Sequence, residues 1–363
     1  MSYARLKIYS VDASNNSTLL TGIKSIQYSQ NLNSPSTMTI VLNNIGGKRN
    51  DVTERQFKIK VDAIAPKMNW LSANPVNWIF FGRVTSIELS ATDCVITAMD
   101  TLNLLSYEII SKNPTSLTNG EDSASIIKEI IGGSSYSIGL EKIIGETKIK
   151  MSSGLNLIGK SRLSAIQTIL SQLNVSPKKF RFYASKDSES VAMEELPDPF
   201  DSTAFHYLAG RVPYTTAPLD FYPSMIDRIE DNDDIINMVT VKNSEFGIDV
   251  TVPSIAPSNV IQKLYTDSTI TDESQARLFA QQILRQQGMS KMKWLVEGMP
   301  STFDITTGEL IEFQSKEGGL SGQHMVFNIS YRFAPSAIFC KMTVGRQNSD
   351  LLTTLQFANQ LNS

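Results

Sequence analysis

The sequence predicts a mainly β protein with α insertions, an α+β arrangement in which two antiparallel β-barrel modules flank a helix-containing middle domain. Three observations carry this expectation. Two stretches, roughly 3–100 and 236–345, are runs of short segments alternating polar and apolar residues with a period near two, as half-buried strands do. Clusters of Asn, Ser, Gly and Pro break those segments, as turns between antiparallel strands require. The stretch between them carries apolar residues at helical spacing.

In the first module, the expected strands are Arg5–Val11, Gly22–Gln30, Met38–Leu42, Phe57–Ile64, Ile79–Leu89 and Cys94–Ala98. Asp100 is placed to cap a short helix from Thr101 to about Tyr107. Turns are expected at Asn113-Pro114 and Thr118-Asn119-Gly120, then a helix over Ser123–Ile131 that stops at Gly132-Gly133. A longer helix over Ser161–Leu173 sets Leu163, Ile166, Ile169, Leu170 and Leu173 on one face, and Phe180–Tyr183 reads as a returning strand. Residues 197–224 carry five prolines among aromatics, so they read as a long packed connection without a central strand or helix. The second module is expected to contain strands Ile235–Lys242, Val260–Thr266, Lys291–Glu297, Leu310–Gln314, His324–Phe333 and Ile338–Val344, with a helix over Asp272–Gln287. A last amphipathic helix is expected over Ser349–Leu361. The boundaries that follow are a first β-barrel module over 1–110, a helix-containing insertion and Pro-rich connection over 111–230, a second β-barrel module over 231–345, and the C-terminal helix over 346–363. Both modules end on a strand, a turn and a cysteine-bearing strand, Cys94…Met99 and Cys340…Met342, which suggests an internal duplication.

A chain of 363 residues exceeds one ordinary core and suggests two or three domains. A hydrophobic content of 41% with 19% charged residues fits a folded protein, and a net charge of -3 argues against a dedicated nucleic-acid binder. Cys94 and Cys340, the only cysteines, sit far apart inside expected strands, so they read as buried apolar residues rather than a disulfide or a zinc site. The Met1-Ser2-Tyr3-Ala4-Arg5 start has no signal pattern, and no uncharged apolar run approaches the roughly 18–20 residues of a spanning helix. Cytoplasmic synthesis without stable membrane association is therefore expected.

One motif points elsewhere. Gly154-Leu155-Asn156-Leu157-Ile158-Gly159-Lys160-Ser161 matches the phosphate-binding G-x-x-x-x-G-K-S pattern, in which loop N–H groups face phosphates while Lys and Ser reach the outer phosphates and magnesium. Its context disagrees. The preceding Glu146–Met151 segment is charged and alternating, the loop is filled with Leu and Ile, and no apolar strand ending in Asp follows. A turn leading into an amphipathic helix is the better reading. His206 and His324 lack partners at ligand or triad spacing and read as structural. Asp231-Asn232-Asp233-Asp234 lacks the alternation of a calcium loop, and Glu194-Glu195 and Glu121-Asp122 are adjacent acids without an evident substrate cleft. No catalytic, cofactor-binding or metal-binding residue is assigned, and the chain reads as a non-enzyme.

Several segments, in serial order, resemble the tail or baseplate hub proteins of tailed phages and related contractile injection systems. Ile26–Leu42 looks like the family's second and third strands with their polar link, and Ile79-Phe80-Phe81-Gly82-Arg83-Val84-Thr85-Ser86-Ile87 like its hub strand. Ser164–Leu173 resembles the middle helix that precedes an Arg/Tyr-bearing strand, here Phe180–Tyr183. Thr271–Leu284 looks like a helix inserted between strands of the second barrel, and Val296–Pro300 with Thr307–Glu312 like its following strand and turn. The resemblance implies tube-type barrels and a homotrimer forming a pseudo-sixfold ring. It also implies a structural hub that joins a hexameric tail tube to a trimeric spike or tip in the virion, next to other baseplate or tape-measure proteins. Nucleic acid would only pass through the lumen. The alternative reading is a receptor- or carbohydrate-binding tail-tip protein, with a P-loop nucleotidase at Gly154–Ser161 behind it.

Overall fold

The computed structural model describes residues 6–11, 17–45, 58–63, 77–143, 155–173, 180–197, 207–210, 219–231, 236–253, 261–266, 272–287, 291–301, 305–314, 320–334 and 337–345. The C-terminal helix expected over 346–363 lies outside them. The first module contains β1 (Leu6–Val11), β2 (Ser17–Leu20), β3 (Ile23–Asn31), β4 (Thr37–Asn43), β5 (Lys58–Ala63), β6 (Asn77–Leu89) and β7 (Asp93–Asp100). The middle region follows with α1 (Leu102–Tyr107), α2 (Thr115–Thr118), α3 (Ser123–Gly132), β8 (Gly139–Ile143), α4 (Arg162–Leu173), β9 (Phe180–Ala184) and β10 (Ser190–Glu195). Then come β11 (Tyr207–Ala209), β12 (Phe221–Asp231), β13 (Met238–Asn243), β14 (Ile248–Pro253), β15 (Gln262–Thr266) and α5 (Glu273–Gln287). The chain continues through β16 (Lys291–Pro300), β17 (Leu310–Phe313), β18 (Gly322–Ala334) and β19 (Ala337–Gly345).

Among the described residues, thirteen strands form one sheet in the order β17-β11-β12-β16-β19-β18-β3-β4-β7-β6-β5-β1-β2. An additional β17–β18 pairing closes its first six members into a barrel. Pairing is antiparallel except at short β11, which runs parallel to both β12 and β17. The β3–β18 ladder joins the two modules, and one apolar cluster, from Ile8 to Val344, fills both. Tyr28 and Tyr331 face each other across that ladder with ring centroids 6.3 Å apart.

The modules are duplicates in their pairing. The ladders β3–β4, β4–β7, β7–β6 and β6–β5 recur, in the same chain order, as β12–β16, β16–β19, β19–β18 and β18–β17. Two bulges recur as well. The break at Ile23/Ser25 matches that at Pro223/Met225, and Val84/Ser86 matches Val326/Asn328. Carried along the ladders, this register sets Ile26 on Ile226, Ile40 on Val296, Ile96 on Met342 and Cys94 on Cys340. The cysteine correspondence in the sequence is therefore positional.

Two expectations need correction. The Pro-rich 197–224 stretch does contain barrel strands, β11 and the start of β12. Pro223 is tolerated because it sits at the bulge, where its missing N–H leaves no gap in a regular ladder. Conversely, the strands expected over Ile235–Lys242 and Val260–Thr266 are not part of the barrel. Strands β13, β14 and β15 form their own three-stranded sheet, whose Val239, Val241, Ile248 and Val250 pack against Ala276, Ala280 and Ile283 of α5. Alternation reveals an apolar face but not what covers it. The middle region has its own core too, in which α1, α3 and α4 pack with the β8-β10-β9 sheet around Leu157, Ile166, Phe180 and Phe182.

Asp100, expected as a cap, lies at the end of β7 and is buried. Its Oδ1 accepts from the Leu102 N–H at 3.0 Å and its Oδ2 from the Ser36 N–H at 2.8 Å. Burial pushes its carboxyl up to about 6, against those hydrogen bonds. The folded chain therefore binds a proton between about 4 and 6 that the unfolded chain releases. The stabilisation from protonation is full below the unfolded value and is lost as pH rises through about 6. Thermal melting of the Asp100→Asn variant should consequently change less between pH 5 and pH 7 than that of the parent, whose midpoint falls across that interval. Parallel pH profiles for the two proteins would contradict the assignment.

Candidate functional site

The phosphate-loop match is a structural turn. Leu155 and Leu157 are buried, and Gly159 adopts φ +82°, a left-handed conformation suited to glycine. The Leu157 N–H donates to Asn113 Oδ1 at 2.9 Å and the Ile158 N–H to Asn156 Oδ1 at 3.0 Å. The Gly159 N–H donates to the Ile110 carbonyl at 2.9 Å and that of Lys160 to the Leu157 carbonyl at 3.2 Å. Ser161 Oγ accepts from the Ser164 N–H at 3.1 Å, capping α4. Four consecutive amides thus face protein acceptors, whereas a phosphate cradle turns them outward. Lys160→Ala should leave calorimetric titration with ATP and magnesium unchanged; micromolar binding lost on that substitution would overturn this reading.

The other candidates are dispersed. His324 is buried in the barrel, with its ring 4.9 Å from Trp294 and 5.9 Å from Phe313 and its Nε2 3.1 Å from the Ser321 carbonyl oxygen. His206 and residues 232–234 of the acidic run fall outside the described residues. Cys94 and Cys340 are buried and form no disulfide, and burial pushes the Cys340 thiol up. Asp122 caps α3 by accepting from the Ser125 N–H at 2.9 Å. Among the described residues no group of three or more His, Cys, Asp or Glu side chains could hold a metal, and no helix is long and apolar enough to cross a membrane.

Polar side chains concentrate where the middle region meets the two modules. Arg181, on β9, forks to acceptors on both sides. It pairs with Glu194 of β10 through Nε at 2.6 Å and also through Nη2, reaches Glu309 at 2.8 Å, and donates to the Thr307 carbonyl at 2.7 Å. On the other side, Asn33 in the β3–β4 turn takes φ 58°, which Asn tolerates better than most residues. Its Oδ1 accepts from the Phe182 N–H at 2.7 Å and its carbonyl from Gln167 Nε2 at 2.8 Å. Arg83 pairs with Glu189 and lies over the Tyr136 ring. These ties hold the middle region to both modules. Sequence reading gave Glu194 only a weak chemical role and singled out neither Asn33 nor Glu309, because their partners are more than 100 residues away. Only the Asn in a tight polar link gave any signal.

What remains open is sheet edge. Lys58, Lys60 and Lys341 lie on interior strands: β5 sits between β1 and β6, and β19 between β16 and β18. Lys341 pairs with Glu297 at 2.6 Å. Among the described residues, one edge of β6 beyond Arg83 and one edge of β12 beyond Phe221 carry no strand. Leu89 and Tyr107 are exposed at the first, beside a recess lined by Val84, Ser86 and Leu104, and Tyr222, Met225 and Ile229 are exposed at the second. Unpaired edges with apolar side chains template pairing with another chain.

By sequence, the chain matches no family model and no curated protein. By structure it is similar to the tail protein from Neisseria meningitidis MC58, with a TM-score of 0.69 at 8% identity over 94% of this chain and 97% of that one. It is also similar to the 43 kDa tail protein of prophage MuSo2 from Shewanella oneidensis, with a TM-score of 0.60 at 11% identity over 94% and 98% of the two chains. A third likeness is the Escherichia coli c3393 protein, a type VI secretion system component described as structurally similar to the T4 bacteriophage tail proteins gp27 and gp5. There the TM-score is 0.53 at 10% identity, covering 95% of this chain and 77% of that one. The fold is that of tail and baseplate proteins of phages and related injection systems. It is mainly β with few helices, as the sequence led us to expect.

Proposed function

We propose that this chain is a structural hub of a virus tail or injection-system baseplate, acting as a homotrimer that joins a hexameric tube to a trimeric spike or tip. One observation carries the reading: each chain holds two copies of one strand arrangement, side by side in a single sheet. Three such chains offer six similar units to a sixfold neighbour while keeping threefold symmetry for the other face. A head-to-tail ring of this kind leaves two unlike faces for two partners. The described similarity of the Escherichia coli relative to tail proteins gp27 and gp5 supports the same role. The near-neutral charge suits a lumen through which nucleic acid passes without being gripped, since a basic lining would bind phosphates strongly. Placement in the virion tail, assembly in a host cytoplasm, the absence of enzymatic activity and contacts with baseplate or tape-measure proteins belong to the same proposal. End-on images of the assembled protein test it: six similar lobes around a channel with threefold symmetry are expected, and a closed globule without a channel would contradict it.

A further inference from the structure

Within one chain, module two meets module one through β18 against β3, antiparallel, with Asn328 opposite Asn31, Ser330 opposite Ser29 and Phe333 opposite Ile26. The duplication assigns a counterpart to each side of this join. Matched by their bulges and ladders, Asn328, Ser330 and Tyr331 of β18 correspond to Ser86, Glu88 and Leu89 of β6. Likewise Tyr28, Ser29 and Asn31 of β3 correspond to Arg228, Ile229 and Asp231 of β12. These counterparts form the two edges that carry no strand among the described residues. They belong to opposite modules of one chain, each in the role its partner module plays at the internal join. The internal join buries Ile26, Tyr28, Ile329 and Tyr331, whereas Leu89 and Arg228 at the corresponding open positions are exposed.

We infer that the β6 edge of one copy pairs antiparallel with the β12 edge of the next copy, in the register that sets Ser86 opposite Asp231, Glu88 opposite Ile229 and Leu89 opposite Arg228. The inference rests on the trimeric hub reading and names its subunit contact. The occupant is a second copy of this chain because the same strand arrangement already fills the equivalent edge once inside each chain. Repeating the internal join between copies makes every module-to-module step alike, covers Leu89, Met225 and Ile229, and pairs the two edges that carry no strand among the described residues.

The test is disulfide trapping in the full chain carrying Glu88→Cys and Ile229→Cys, both exposed positions. Directly opposed residues in an antiparallel pair have Cα atoms about 4.5–5.5 Å apart, within the span of a disulfide. A two-residue slip adds roughly 7 Å and puts them out of reach. The native cysteines are buried, so background cross-linking should be low. Mild oxidation should give a covalent species of three chains from the double variant, none from either single variant, and little from the slipped pair Glu88→Cys with Asp231→Cys. A ring of three by mass that yields no Glu88–Ile229 cross-link overturns this contact and leaves the hub reading standing. Cross-links that run on past three chains support the contact and contradict the closed ring. Neither a ring nor a cross-link overturns both.

Discussion

Replacing Ile166 by Asp is expected to unfold the middle region. Ile166 is fully buried on the inner face of α4, in one cluster with Leu163, Ile169, Leu170, Phe180 and Phe182. A carboxylate there would be buried among the apolar side chains of that cluster. Burying such a group costs several kcal/mol, comparable with the whole stability of an ordinary domain, about 5–15 kcal/mol. Soluble yield should collapse, or the first melting transition should fall well below that of the parent. An unchanged melting curve would mean that this helix face meets water, contrary to the packing described above.

The second large effect is expected at Arg181. Its guanidinium, only 13% exposed, sits between Glu194 and Glu309 and also holds the Thr307 carbonyl. Truncation in Arg181→Ala leaves two poorly hydrated carboxylates facing each other without their cation. Breaking one side of a buried ion pair typically costs about 3–5 kcal/mol, and chemical denaturation should register a loss of that size. Arg181→Lys should recover only part of it, because an ammonium cannot reproduce the fork that reaches several acceptors at once. Denaturation midpoints for Arg181→Ala within error of the parent would show that the contact does not tie the middle region to the second module.

Both positions illustrate what could be read from the chain before its fold was known. The inner face of α4 was legible because Leu163, Ile166, Ile169 and Leu170 recur at helical spacing, and local periodicity needs no tertiary knowledge. Most strands of the first module were legible for the same reason: β4 and β7 alternate buried and half-buried residues along nearly their whole length, and β3 alternates buried residues with half-buried or exposed ones from Ile26 onward. Membership of a sheet was not legible. Val239 and Val241 of β13 alternate as a barrel strand would, yet α5 covers them, and Pro223 marked a barrel strand as a loop because a bulge was not foreseeable. The binding of the middle region to the modules was hidden for a different reason. Asn33, Arg181 and Glu309 act through partners distant in sequence, and pairwise complementarity over such separations leaves no periodic trace. The duplication left one usable sign, the two cysteines near the ends of the modules, which the ladders place at equivalent positions.

A ring of three chains is the assembly expected of such a hub, and the mass of the complex formed by this protein in its assembled state decides it. Three copies of the 40.2 kDa chain per ring are predicted. A particle-derived complex holding one copy, or two related by a dyad, would contradict the hub assignment, because neither can present six similar modules around a channel.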